Sequence, residues 1–137
     1  MNPLLAGNPY AQYQQAQVDT ASPERLLLML YEGAIRFLNA GRKGLTDRKF
    51  DVAHKNIVRA QDIILEFMAT LNMKDGGEVA QNLFDLYDYM NRRLSQANAE
   101  KNVAILDEVL GFVRELHEAW VIAAKNVAAE RGASAIA

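Results

Sequence analysis

A chain of 137 residues, half of them apolar and 23% charged, is long enough for one hydrophobic core and has a globular rather than a disordered composition. A formal net charge of −2 with no run of like charge argues against nucleic acid as a partner, because phosphates demand a concentrated basic surface. The lack of cysteine excludes disulfides, thiolate metal sites and cysteine nucleophiles. The longest strictly apolar runs, Leu26–Tyr31 and Ala119–Ala124, fall far short of the roughly 18 residues that read as a membrane span. No basic stretch followed by an apolar one opens the chain. The expectation is a cytoplasmic protein without membrane insertion.

The first nineteen residues form an arm whose only charged side chain is Asp19: "NPYAQYQQAQ" (Asn8–Gln17) carries two tyrosines and four glutamines and no charge. A helix is expected from Pro23 to about Arg42, opened by Ser22 as a hydroxyl cap, Pro23 at the first helical position and Glu24 near the positive end. Its two adjacent apolar seams, Leu27/Leu30/Ala34/Phe37 and Leu28/Tyr31/Ile35/Leu38, require burial on two sides. Gly41 and Gly44 suit its end. A second helix, Lys49–Leu71, repeats Phe50, Ala53, Ile57, Ala60, Ile64, Phe67 and Leu71 at steps of three and four, and "NMKDGG" (Asn72–Gly77) stops it. The third, Glu78–Ala97, reads Val79, Leu83, Leu86, Met90 and Leu94. A short polar link, Asn98–Asn102, leads to a fourth over Val103–Ala129, which reads Leu106, Leu110, Val113, His117, Trp120 and Ala124. Links this short favour antiparallel neighbours, so the spacing predicts an all-α, antiparallel four-helix bundle over residues 20–131, preceded by the arm (1–19) and followed by a frayed tail (132–137).

Chemistry is poorly represented. His54 and His117 lie on different expected helices without an evident partner, and His117 at a seam position reads as a hydrogen-bonded core histidine rather than a ligand. No glutamate has a histidine three positions later, which removes the usual di-iron bundle pattern. "GGE" (Gly76–Glu78) is a turn and helix start, because a glutamate there would repel phosphate. Asp85 and Asp88 share a face but read as solvated carboxylates answered by Arg92 and Arg93. No enzymatic activity, metal or cofactor is expected.

What the chain has in excess is apolar surface. A bundle helix needs about three core positions in seven. The first three helices exceed this, with Met29, Tyr31, Ile63, Leu65, Met68, Phe84, Tyr87, Tyr89 and Met90 in or beside the surplus. One reading is that the core absorbs them. The other is an open groove for an amphipathic helix of a partner, lined by Ile57, Ile64, Met68, Leu71, Leu83, Tyr87, Met90 and Leu94.

Four stretches carry a family resemblance: "TASPERLLLMLYEGAIRFL" (Thr20–Leu38), "AQDIILEFMATLN" (Ala60–Asn72), "GGEVAQNLFDLYDYMNRRLSQAN" (Gly76–Asn98) and "EVLGFVRELHEAW" (Glu108–Trp120). Together they cover the helical portion, and the chain resembles the FliS family of flagellar secretion chaperones. Tyr10 or Tyr13 and the step Val18–Pro23 match the family's N-terminal pattern. The resemblance implies a non-enzymatic bundle that binds the disordered C-terminal segment of flagellin one to one, prevents premature polymerisation and presents the client to the export gate of the flagellar type III apparatus. It also implies that the arm lies over part of the client surface as a lid. Leu4, Leu5, Tyr10 and Tyr13 are its apolar contacts. Two other functions fit the composition less well: a bundle whose neutral faces form a homodimer, and a bundle that binds a small ligand or metal.

Overall fold

The computed structural model describes Gln12 and residues 21–136, with side chains through residue 132. Four helices follow one another: α1 (Pro23–Thr46), α2 (Phe50–Thr70), α3 (Gly77–Glu100) and α4 (Val103–Ile136). Each packs against its neighbours in sequence, and α4 closes the ring against α1. Contacts run in opposite directions along each pair. Arg42 meets Asp107 while Glu24 meets Arg131, and His54 meets Asn98 while Gln61 meets Ser95. The bundle is antiparallel throughout.

The start of α1 is the expected one, with Ser22 Oγ accepting from Arg25 N–H at 3.2 Å and proline in the first turn. Its end is not. Gly41 and Gly44 do not stop the helix; they lie buried inside it, and α1 continues to Thr46. The reason is packing. A Cβ on Gly44 would stand 2.8 Å from Ala53 N, so the glycine lets the backbone of α1 approach that of α2.

The turn into α3 is of the expected kind. Asp75 N–H donates to Asn72 Oδ1, and Gly77 takes φ +56°. The third helix runs three residues beyond Ala97, because Lys101 adopts a left-handed φ of 57° and Asn102 Oδ1 caps α4 by accepting from Ile105 N–H, which leaves only residues 101–102 as the link. At its far end α4 remains helical to Ile136, so the tail expected from residue 132 continues the helix in backbone.

The core is apolar, with no buried polar or charged residue among the described ones. Tyr31, Leu38, Ile57, Ile64, Tyr87, Met90, Leu94, Leu106, Val109 and Val113 are its largest fully enclosed or nearly enclosed side chains. These positions recur every three or four residues on each helix, which is the geometric reason one face of each meets the others. The bundle has two unlike ends. The turn end carries the links 47–49 and 101–102. The open end carries the link 71–76, the start of α1 and the later half of α4.

Candidate functional site

Beneath the open end, each helix contributes one aromatic to a single cluster. Tyr31 of α1 stacks on Phe67 of α2 with ring centroids 4.3 Å apart, and Phe67 lies 5.4 Å from Tyr87 of α3. The hydroxyls of Tyr31 and Tyr87 share a hydrogen bond of 2.5 Å, and Trp120 Nε1–H of α4 donates to Tyr31 Oη at 3.2 Å. Two phenols in an apolar core are costly unless paired, and here they pair with each other. Burial pushes the ionisation of both above the ordinary phenol range, and for Tyr31 the neighbouring Tyr87 hydroxyl adds to the effect. The cluster is therefore a neutral, rigid floor.

Above it the side chains are uncovered. Seven large apolar residues are exposed among those described, and four of them, Leu26, Met73, Val79 and Ile122, stand at or near the open end, whereas Leu65 lines the outer α2/α3 groove beside Val58. Val79 is 70% exposed and Ile122 54%, values unlike those of a finished core. Met68, Leu71 and Leu83 sit half-buried below this rim. Between α1 and α4 a cleft is walled by Leu27, Trp120, Ala123, Ala124 and Val127, with Glu24 at its edge. The small alanines of α4 make the cleft, since a larger residue at either position would fill it. Glu24 bonds Arg131 at 2.8 Å. Its carboxyl is held below the usual range first by the hydrogen bond from its own backbone N–H and further by Arg131, despite partial desolvation.

Of the eight residues expected to line the groove, five are enclosed in the core. Ile57, Ile64, Tyr87, Met90 and Leu94 are core residues with 0–2% exposure. The seam they form points inward because α2 and α3 pack the same stripe against α1 and α4. The outer α2/α3 groove combines the apolar side chains of Val58 and the exposed Leu65 with a polar network. Gln61 Nε2 donates to Asn91 O and Ser95 Oγ, Asn91 Nδ2 donates to Gln61 O, and Asn98 meets His54 Nδ1 at 2.8 Å. Met68, Leu71 and Leu83 alone of the eight reach the open end partly exposed. Leu4, Leu5, Tyr10 and Tyr13 lie outside the described residues.

The other candidates have structural partners. Asp88 pairs with Arg92 at 3.1 Å and Asp85 accepts from Gln81, whereas Arg93 turns away from both to reach Glu108 on α4 at 3.0 Å. Tyr89 donates to the same Glu108, and these two bonds hold its carboxyl low. His117 is only half-buried. Its ring lies 6.4 Å from that of Tyr31, and its Nε2 stands 3.8 Å from Glu32, beyond hydrogen-bond reach. No group of three metal-ligating side chains occurs among the described residues, and no described helix is long and apolar enough to cross a membrane.

The fold and the site define an all-helical bundle with an enclosed neutral floor and an uncovered apolar rim. The comparisons with known proteins define the class further. Residues 6–127 match the family described as "Flagellar protein FliS". The flagellar secretion chaperone FliS of Bacillus subtilis is 37% identical over 127 residues, covering 93% of this chain and 94% of that protein. Its Salmonella typhimurium counterpart is 38% identical over 113 residues, covering 81% and 84%. Among solved structures, a bacterial flagellar chaperone superposes with a TM-score of 0.71 over 86% of this chain and 99% of its own, at 20% identity, which supports the fold. The chain belongs to the FliS family of flagellar secretion chaperones. Its class is that of a chaperone in flagellar protein secretion, not an enzyme.

Sequence reasoning missed Trp120 as a cleft wall and Ile122 and Val79 as rim residues. Val79 and Trp120 fell on the expected seams, and periodicity alone does not say where a seam outruns its neighbours. The surplus apolar count was the available signal, and a count carries no position on the bundle.

Proposed function

We propose that this chain binds the C-terminal segment of flagellin at the open end, one to one and in the cytoplasm, keeps it from polymerising, and delivers it to the export gate of the flagellar type III apparatus. The observation that supports this most is the concentration of Leu26, Met73, Val79 and Ile122 at one end of the bundle above the aromatic floor. A client that folds on binding incurs an ordering cost, and a large apolar area offsets it. Met68, Leu71 and Leu83 extend that area toward the core. The relatives' name, flagellar secretion chaperone, agrees with an export client.

The arm, residues 1–19, enters α1 at this end. In this reading it is a lid, with Leu4, Leu5, Tyr10 and Tyr13 covering the rim until client displaces them. Docking worth about 1.4 kcal/mol leaves the site open about a tenth of the time and lowers client affinity about tenfold. Its removal then raises affinity by that factor.

The test is a titration with one flagellin C-terminal peptide, followed by light scattering. Val79→Glu with Ile122→Glu should weaken binding more than tenfold at unchanged helicity, because each carboxylate must be desolvated against an apolar helix. Binding by the wild type should change little with salt. Undiminished binding by the double variant moves the site elsewhere. A stable homodimer indifferent to peptide favours the homodimerising bundle instead. A truncated chain that binds client less tightly defeats the lid and makes the arm a direct contact.

A further inference from the structure

Charge is unevenly distributed along the chain. Residues 36–59 hold seven of its fifteen lysines and arginines and two of its seventeen acids. These residues are the turn-end halves of α1 and α2 and the link between them. Arg42 is engaged by Asp107 at 2.7 Å and Lys43 by Asp47 at 3.0 Å. The other five, Arg36, Arg48, Lys49, Lys55 and Arg59, are exposed and have no carboxylate partner among the described residues. Arg25, Arg92, Arg93 and Arg131, elsewhere on the bundle, are all paired.

Two of the free guanidiniums lie on half-buried aromatic rings. Arg48 sits 5.6 Å from the centroid of Phe50, and Arg59 sits 5.6 Å from that of Phe37. Lys101, from the α3–α4 link, lies 5.4 Å from the Phe50 ring. Gly33 places the head of Arg36 beside Ile63 at the α1/α2 seam, since a Cβ there would meet Arg36 Nη2 at 3.6 Å and Ile63 Cδ1 at 3.4 Å. Val52 is exposed on the same half of α2. The result is a face of cations interleaved with apolar groups. Resting on rings, the two guanidiniums surrender less side-chain freedom when they bind a carboxylate.

We propose that the α1–α2 face at the turn end docks an acidic protein segment, one in which several carboxylates alternate with apolar side chains. Charge complementarity identifies the occupant. Carboxylates would meet Arg36, Lys55 and Arg59, and apolar side chains would meet Val52 and Ile63. Nucleic acid fits less well, because the patch is bounded by Glu32 on α1 and by Asp62 and Glu66 on α2, and the rest of the chain holds eight cations against fifteen acids. From Arg36 to the end of α1 at Thr46 the face spans about 15 Å, which suits a short segment rather than a long polyanion. The surface is separate from the apolar rim, so one chain can hold client at one end and an acidic partner near the other. The proposal does not depend on the identity of the client.

A labelled amphipathic peptide rich in glutamate and leucine tests it, titrated at low and at physiological salt. The full chain should bind the peptide, less tightly as salt rises. The triple variant Arg36→Gln, Lys55→Gln and Arg59→Gln should lose about tenfold in affinity, a few tenths of a kcal/mol for each exposed charge pair. Lys74→Gln with Lys125→Gln should lose none. Amide shifts of the unmodified chain provide a second measurement that does not depend on the variant folding, and they should move on Arg36–Arg59 when peptide is added. Shifts confined to the open end, equal loss in the control variant, or no loss in the triple variant overturns the proposal. So does tighter binding of a single-stranded oligonucleotide through the same residues.

Discussion

The two ends of the bundle are held by different means. At the turn end the helices approach closely through small residues: Gly44 lies against Ala53, and Gly41 lies under Ile57. Charged pairs such as Arg42–Asp107 and Arg93–Glu108 lie around it, and the links are two and three residues long. At the open end four aromatics fill the space between the helices, and above them large apolar side chains face outward. Tight backbone packing with charge outside leaves little bare apolar surface. Aromatic packing with apolar groups outside leaves surface that water disfavours, at roughly 25 cal/mol per Å². The contrast teaches that burial within a chain and exposure for a partner are read from position along the helix, not from residue type. Met90 and Val79 are both apolar seam residues of α3, one enclosed and one bare.

Carboxylate substitutions sharpen this contrast most. Met90→Glu places an unpaired acid in the fully enclosed core and should cost about 3–5 kcal/mol. Val79→Glu on the rim should stay within about 0.5 kcal/mol by urea denaturation. Similar losses for the two would erase the distinction between core and rim.

Two glycines offer the next largest effect. Gly44→Ala drives a Cβ to 2.8 Å from Ala53 N and should cost about 2 kcal/mol, because backbone rather than a flexible tip must move. Gly111→Ala, with open space around it on α4, should stabilise by about 0.5–1 kcal/mol. Thermal melts of both variants check the sign. If Gly44→Ala were neutral, close packing would not be what holds the turn end.

The aromatic floor is tested by Tyr31→Phe, which strips Tyr87 and Trp120 of a shared partner and should cost about 1–2 kcal/mol. Tyr87→Phe should cost less, since Tyr31 keeps Trp120. The raised ionisation of both phenols has a pH consequence. Below pH 10, the ordinary phenol value, folded and unfolded states both keep them protonated, so the fold loses nothing. Above it the unfolded chain ionises first, and stability falls as pH rises. Absorbance of tyrosinate should therefore grow in step with unfolding for Tyr31 and Tyr87, and the growth should shrink in the double phenylalanine variant.

Much of the fold was legible in the residues. Ser22–Pro23–Glu24 set the start of α1, glycine with asparagine set the turn before α3, and the three- and four-residue steps on every helix fixed which face turns inward. Gly41 and Gly44 misled because a glycine that ends a helix and a glycine that lets two helices touch look the same in one dimension. The site was legible only as an excess. Too many apolar residues were present for one core, yet Ile57, Ile64, Tyr87, Met90 and Leu94 turned out to be that core.

What the sequence determined by itself is therefore local and periodic: four helices, their order, their antiparallel sense and their apolar stripes. The helices and stripes follow from backbone capping and the 3.6-residue repeat, which need no neighbour, and the antiparallel sense from the shortness of the links. Only the tertiary structure decided which apolar residues are covered. Coverage depends on how far each helix extends past its partners, on the approach that Gly44 permits, and on the hydroxyl of Tyr31 meeting Tyr87 across 56 residues of chain. Those are relations between distant segments, and an apolar side chain has no local chemistry that announces whether another helix will lie over it.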